Sequence, residues 1–239
     1  PDQSSAASDV YKRQVLYLFL SILIAGAWLI FHKKKSLKES IKFIFNPKVF
    51  FSKSATSDYK VFFINQIIML LISPHLLTQI TIATALYFFF FEINFIEMGL
   101  FASSPKYLIV SLFTLTHFIV DDFSKYIVHR WMHNWPFLWA LHKVHHSATN
   151  LTPMTVFRTH PLEGLVFTLR SAFAQGVTIS TFVYLFGGGV DLYTILGANL
   201  FVFFFNVFGS NLRHSHIGIR YWKWFCLLYT SPSPRDGQI

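Results

Sequence analysis

Cysteine is all but missing from this chain: the single one, Cys226, lies close to the C-terminal end. Such a sequence cannot rest on a disulfide framework, and it offers no thiolate cage to zinc or to an iron–sulfur cluster. Charge is scarce too. Asp, Glu, Lys and Arg make up 13% of the residues, whereas an ordinary soluble domain carries about a quarter. Acids are the scarcer sign, 11 against 20 lysines and arginines. Dinucleotide fingerprints are lacking: "GGGVD" at residues 187–191 is too short for G-x-G-x-x-G and follows an apolar run. No internal repeat stands out.

The ends read as foreign to the rest. Residues 4–14, "SSAASDVYKRQ", resemble a translated transposon-type sequencing adaptor, and residues 226–236, "CLLYTSPSPRD", resemble its partner. "DVYKRQ" can be encoded GAT GTG TAT AAG AGA CAG, and the reverse complement, one frame over, reads "LLYT". Residues 1–14 and 226–239 are therefore expected to be adaptor-derived and no part of the fold. Residues 15–225 are read as one membrane-embedded domain, without cysteine. The tails carry Lys12, Arg13 and Arg235 against Asp2, Asp9 and Asp236, so the net charge of +9 is unaffected.

What the chain does have is apolar length. Hydrophobic residues are 53% of it, 29 are phenylalanine, and the mean hydropathy is +0.46. Val15–Phe31 is free of charge and just long enough to span a bilayer. Val61–Phe91 is also uncharged but broken by "SPH" at 73–75, which predicts a kinked or re-entrant pair. Leu108–Val120 runs on into a histidine-rich stretch, and Leu165–Phe186 and Tyr193–Phe208 flank the Gly-rich breaker. The expected fold is all-α: a polytopic integral membrane helical bundle of about four to five spans.

Charge placement predicts orientation. The loop His32–Lys60 holds eight lysines against Glu39 and Asp58, whereas Glu92–Lys106 holds two acids and one base. The positive-inside rule puts the first loop in the cytoplasm. Counting crossings from there brings the eight histidines between 129 and 216 to the cytoplasmic face. Basic charge of this kind needs no nucleic acid to explain it.

Those histidines are the chemical signal. "HRWMHNWPFLWALHKVHH", residues 129–146, holds His129 and His133 four apart, then His142, His145 and His146. Residues three and four apart share a helix face, and "NWP" at 134–136 can fold one helical segment back on the other. Neutral imidazole suits zinc, iron, copper and nickel. With His160, His214 and His216 the candidates number eight, too many for one closed zinc site and suited to two metals. His75 and His117, alone in apolar runs, read as packing or polar-network residues, and His32 as a solvated one. Asp122, seven residues before His129, and Glu163 are candidates to orient a ligand through its second ring nitrogen. Arg130, Lys143 and Arg158 read as solvated basic surface, with lipid headgroups or an acidic electron donor as the functional alternative. Trp131, Trp135 and Trp139 read as an interfacial belt.

"DDFSKYIVHRWMHNWPFLWALHKVHHSATNLTPMTVFRTHPLE", continued by "NLRHSHIG", resembles the fatty acid hydroxylase and sterol desaturase superfamily over roughly Lys33–Phe225. The resemblance implies membrane enzymes with histidine boxes and a non-haem di-iron centre. By position, the first box is His129 and His133, the second His142, His145 and His146, and His214 fills a further histidine position. It implies O2-dependent hydroxylation or desaturation of a fatty acyl, sterol or related lipid. The electrons would come from a reductase through a ferredoxin or cytochrome. A bacterial inner membrane or the endoplasmic reticulum is the expected location. The family's closing HxxHH is expected beyond residue 225, which makes this chain an inactive fragment on its own. Three other classes compete. A zinc protease needs an acid after the first histidine, where Arg130 stands. A cation transporter or other metal-binding membrane protein would use histidines at mid-membrane, and a bis-histidine haem protein would show a Soret band.

Overall fold

The computed structural model describes residues 16, 19–72, 79–93 and 96–206. The two terminal segments read as adaptor-derived, the "SPH" break with His75, and the pair His214 and His216 lie outside the described residues. Among the described residues every regular element is helical. In chain order they are α1 (Phe19–Phe31), α2 (Leu37–Ile44), α3 (Pro47–Phe50), α4 (Lys53–Ile72), α5 (Gln79–Ile93), α6 (Lys106–Asn134), α7 (Pro136–His146), α8 (Pro161–Phe186) and α9 (Leu192–Asn206). Short 3-10 turns cover Pro153–Phe157 and Gly187–Gly189.

Among the described residues two helices, α4 and α6, are long and apolar enough to cross a membrane; α1, α5 and α9 are apolar but shorter. The long apolar stretch, expected as a kinked span or a re-entrant pair, holds two helices, α4 ending at Ile72 and α5 beginning at Gln79, and α4 begins at Lys53, well before the apolar run does. What α4 buries shows the solvent it is built for. Its buried residues are Ala55, Asp58 and Asn65, while Phe63, Ile64, Leu70 and Leu71 are exposed. A water-soluble helix hides its apolar stripe and shows its polar one; from Val61 onward α4 does the reverse, while Lys53, Thr56 and Lys60 before it are exposed. Only 17% of the apolar window of α4, and 28% of that of α6, is buried.

The chain divides into two compact units, whose boundaries fall between residues 74 and 75 and within α6, α8 and α9. The first comprises residues 1–74, 132–163 and 205–239. Its apolar cluster joins Ala25 and Leu29 of α1 to Ile44 of α2. A polar clamp holds the rest. Asp58 of α4, fully buried, accepts from Arg158 Nη1 at 3.0 Å and from Thr155 Oγ1 at 2.7 Å. Arg158 also reaches the Val144 carbonyl at 3.2 Å and Ser147 Oγ at 2.8 Å. Asn65 Nδ2 donates to the Thr159 carbonyl at 2.7 Å, and Phe62 meets Phe157 edge-on. The turn after α7 is thereby tied to α4 at both of its ends. Arg158, expected as a surface cation, is a structural strut.

The second unit comprises residues 75–131 and 164–204. Ile109 and Phe113 of α6 pack with Phe182 and Phe186 of α8 and Ala198 of α9. Arg170 Nη1 donates to Asp121 Oδ1 at 2.7 Å and to Ser124 Oγ at 2.9 Å, with Lys125 on the same carboxylate. His117, expected as a packing or polar-network residue, is buried here with its ring stacked on Phe113. Gly187 ends α8 at φ 57, a left-handed conformation that glycine adopts without steric cost. Asp191 then opens α9 by accepting from Thr194 N at 2.9 Å and pairing with Lys106 at 2.9 Å. The Lys106 hydrogen bond and those of Thr194 hold its carboxyl below the usual range.

Candidate metal centre

The break between α6 and α7 is a single residue. Trp135 takes an extended conformation (φ −99°, ψ 123°) and Pro136 is the first residue of α7. Proline forces its predecessor out of the helical region, yet loses nothing at a helix start, where its missing N–H has no partner anyway. The chain therefore reverses between two helices that each carry histidines near their C-terminal ends.

Three imidazoles meet as a result. The rings of His133, His142 and His146 lie 4.8 Å apart, centroid to centroid, in every pairing. His129, one turn before His133 on the same helix, completes a set of four whose ligating atoms all lie within 4.8 Å of one another. An ion about 2.1 Å from each nitrogen sets neighbouring ligands roughly 3 to 3.5 Å apart and opposed ones about 4.2 Å apart. His142 Nε2 and His146 Nε2 are already 3.2 Å apart.

Glu163 fixes the key ring. His142 Nδ1 is 2.7 Å from Glu163 Oε1, and both side chains are 2% exposed. Donation from Nδ1–H to the carboxylate leaves Nε2 of His142 with its lone pair facing His146. The other oxygen, Oε2, is buried with no hydrogen-bond partner among the described residues. A buried carboxylate beside imidazoles calls for compensating positive charge, which a divalent cation held by the histidine set would provide. The donor set fits a borderline metal such as iron or zinc. Trp139 covers one side, its ring 5.4 Å from those of His133 and His146.

The family model for fatty acid hydroxylase matches residues 114–235, just over half of the chain, and includes both histidine segments. This chain belongs to the fatty acid hydroxylase family. A Delta(7)-sterol 5(6)-desaturase of Eremothecium gossypii is 36% identical over 73 residues, 30% of this chain and 20% of that protein. A protein of Dictyostelium discoideum named as a methylsterol monooxygenase is 29% identical over 133 residues, 53% of this chain and 45% of its own. The Delta(7)-sterol 5(6)-desaturase of Candida dubliniensis is 27% identical over 168 residues, 68% of this chain and 40% of its own. The chain thus spans less than half the length of these relatives. No solved structure matches it.

Within this fatty acid hydroxylase domain the expected site residues divide into four groups, one of which, His214 and His216, lies outside the described residues. His129, His133, His142 and His146 are brought together. His145 is buried and stacked on His142 with ring centroids 5.5 Å apart, beside the four and outside their set. His160 stands just before α8, where its Nδ1 accepts the Leu162 N–H at 3.2 Å and so caps the helix start. Asp122 is buried on α6, but the carboxylate that hydrogen-bonds a clustered histidine is Glu163. Arg130 and Lys143 are exposed as expected, Arg130 donating to the Tyr126 hydroxyl. Asp58, Asn65 and Thr155, which hold the frame behind the histidines, carry no signal in the sequence beyond being polar residues near or within apolar stretches.

Proposed function

We propose that the protein is an O2-dependent lipid hydroxylase or desaturase whose iron is held by His129, His133, His142 and His146. The convergence of four imidazole nitrogens, one of them anchored by the buried Glu163, carries this reading. Iron bound there would supply what no side chain can, an oxidant able to break an unactivated C–H bond with O2 and two electrons. The protein's part is to hold, orient and shield. Glu163 keeps His142 in the tautomer that ligates, and Trp139 limits water at one side. The single-residue link at Trp135 fixes the two histidine helices against each other.

Two irons per site are proposed, with His145, His160, His214 and His216 as the further imidazole supply. α6 is about 44 Å long at 1.5 Å per residue, longer than the hydrocarbon layer of about 30 Å. Its histidines would then emerge at the membrane surface, on the cytoplasmic side by the lysine bias of the first loop. The relatives' names favour a sterol or a similarly rigid lipid as substrate. The electron donor would be a separate reductase acting through a ferredoxin or cytochrome. The test supplies the full-length protein in membranes with iron, electron donors, isotopically labelled O2 and lipid extracts. A hydroxylated lipid carrying the label, or a newly desaturated one, supports the proposal; O2-independent cation movement without lipid oxidation defeats it.

A further inference from the structure

The segment between α1 and α4 is more than a tether. Lys34 at φ 54 turns the chain back at the end of α1, and Lys35 N donates to the Leu29 carbonyl at 3.1 Å across that turn. Ser36 caps α2 in a reciprocal box with Glu39. α2 then lies along the last turns of α1, burying Ser40 and Ile44; Ile44 Cδ1 comes within 3.8 Å of where a side chain on Gly26 would begin. The outer side is left bare. Leu37 is 65% exposed, Ile41 49% and Phe51 82%, all in a connection that spans nothing.

Lysines edge this apolar surface. At 100° per residue, Leu37 and Ile41 fall on one stripe of α2, with Lys38 and Lys42 on the next. Lys33 sits over the Trp28 ring at 5.1 Å and Lys35 over Phe43 at 4.9 Å. Of the two acids in the loop, Asp58 is fully buried and paired with Arg158, which leaves Glu39 alone to face eight lysines. Greasy side chains next to unopposed ammonium groups fit the boundary between headgroups and acyl chains, where lysine stems reach back to the phosphates. An acidic protein partner would satisfy the lysines but not Leu37, Ile41 and Phe51.

We propose that residues 33–53 form an in-plane anchor that binds anionic lipid headgroups, with Lys38, Lys42 and Lys48 at the phosphates and Ile41 and Phe51 among the acyl chains. It rests on the membrane reading above and not on the redox chemistry. The anchor also sets depth for the centre, because Thr149 N donates to Ser54 Oγ at 3.2 Å, tying the turn after α7 to the start of α4.

The test places an environment-sensitive fluorophore at Phe51→Cys in the full chain with Cys226→Ser, reconstituted in phosphatidylcholine vesicles with or without phosphatidylglycerol. Acyl-brominated lipids are expected to quench it and aqueous iodide to leave it. Brominated phosphatidylglycerol should quench at least about two-fold more effectively than brominated phosphatidylcholine. The preference should vanish in K38Q/K42Q/K48Q while acyl quenching persists. Iodide access with no lipid quenching overturns the proposal, as does a preference that survives the lysine changes. So does protection of the label by a soluble acidic protein alone. A second label at Phe63→Cys, on α4, separates the failures. Lipid quenching at 63 but not at 51 removes the anchor only, and quenching at neither removes the membrane reading with it.

Discussion

Glu163 and His142 are 21 residues apart in the chain, yet a 2.7 Å hydrogen bond joins them in an environment that leaves each 2% exposed. The bond links the start of α8 to the C-terminal half of α7 and turns one ring nitrogen of His142 toward His146. Replacing the carboxylate removes both the orientation and the negative charge that would balance a bound cation. Glu163→Ala is expected to lower metal affinity by about 10- to 100-fold. Glu163→Gln, which can accept the hydrogen bond but carries no charge, should fall between. Competition against a chelator of known affinity, followed by metal analysis, measures it; wild-type affinity in Glu163→Ala would leave the residue a packing element.

Asp58 and Arg158 make the opposite kind of claim, about the frame. Removing one partner of a buried pair strands the other, at a cost of roughly 3 to 5 kcal/mol. Arg158→Met should therefore lower the melting temperature markedly in detergent, and Asp58→Asn/Arg158→Met should recover part of the loss. A double variant no better than the single one would mean that the Arg158 bonds to Val144 and Ser147, rather than the charge pair, carry the stability.

Two glycines separate rigid from yielding contacts in the second unit. A methyl on Gly176 would come 2.9 Å from Ile82 Cβ and 3.2 Å from the Ala83 backbone nitrogen, neither of which can swing aside. A methyl on Gly189 would meet chiefly the Ile109 Cδ1 tip, the far end of a flexible side chain. Gly176→Ala is expected to cost about 1 to 3 kcal/mol and Gly189→Ala markedly less. Paired thermal melts decide it, and equal losses would contradict the distinction.

Acid should weaken the α8–α9 turn. The Asp191 carboxyl is held below its ordinary value by Lys106 and Thr194. Its contribution is therefore complete above the unfolded carboxyl's range, about 4, and lost as pH falls through the lower folded value. The difference in melting temperature between wild type and Asp191→Asn should shrink on acidification below pH about 4. A difference that is constant with pH would remove Asp191 from the account.

The histidine set was readable because its signal is local. His129, His133, His142 and His146 follow helical spacing, and Trp135 with Pro136 announces the reversal that lets them meet. The apolar runs announced α4 to α6 in the same way. Residues whose role comes from tertiary pairing were less accessible. Arg158 looks like a surface cation until Asp58, 100 positions earlier, is placed beside it. Asp122 and Glu163 look equivalent as carboxylates near histidines, and only the fold sets one of them against His142. His160 precedes a proline at a helix start, where its ring nitrogen caps the Leu162 N–H, so its identity as histidine does not by itself make it a ligand.

The central claim is that the four converging histidines hold catalytic iron, and metal analysis of the purified full-length protein tests it most directly. Iron is expected to co-purify with the wild type at up to two ions per chain, by the reading proposed above. It should be strongly depleted in both His133→Ala and His146→Ala, with helical content by circular dichroism unchanged. Wild-type protein that binds no iron when reconstituted in the reduced state, or variants that keep a full complement, would contradict it.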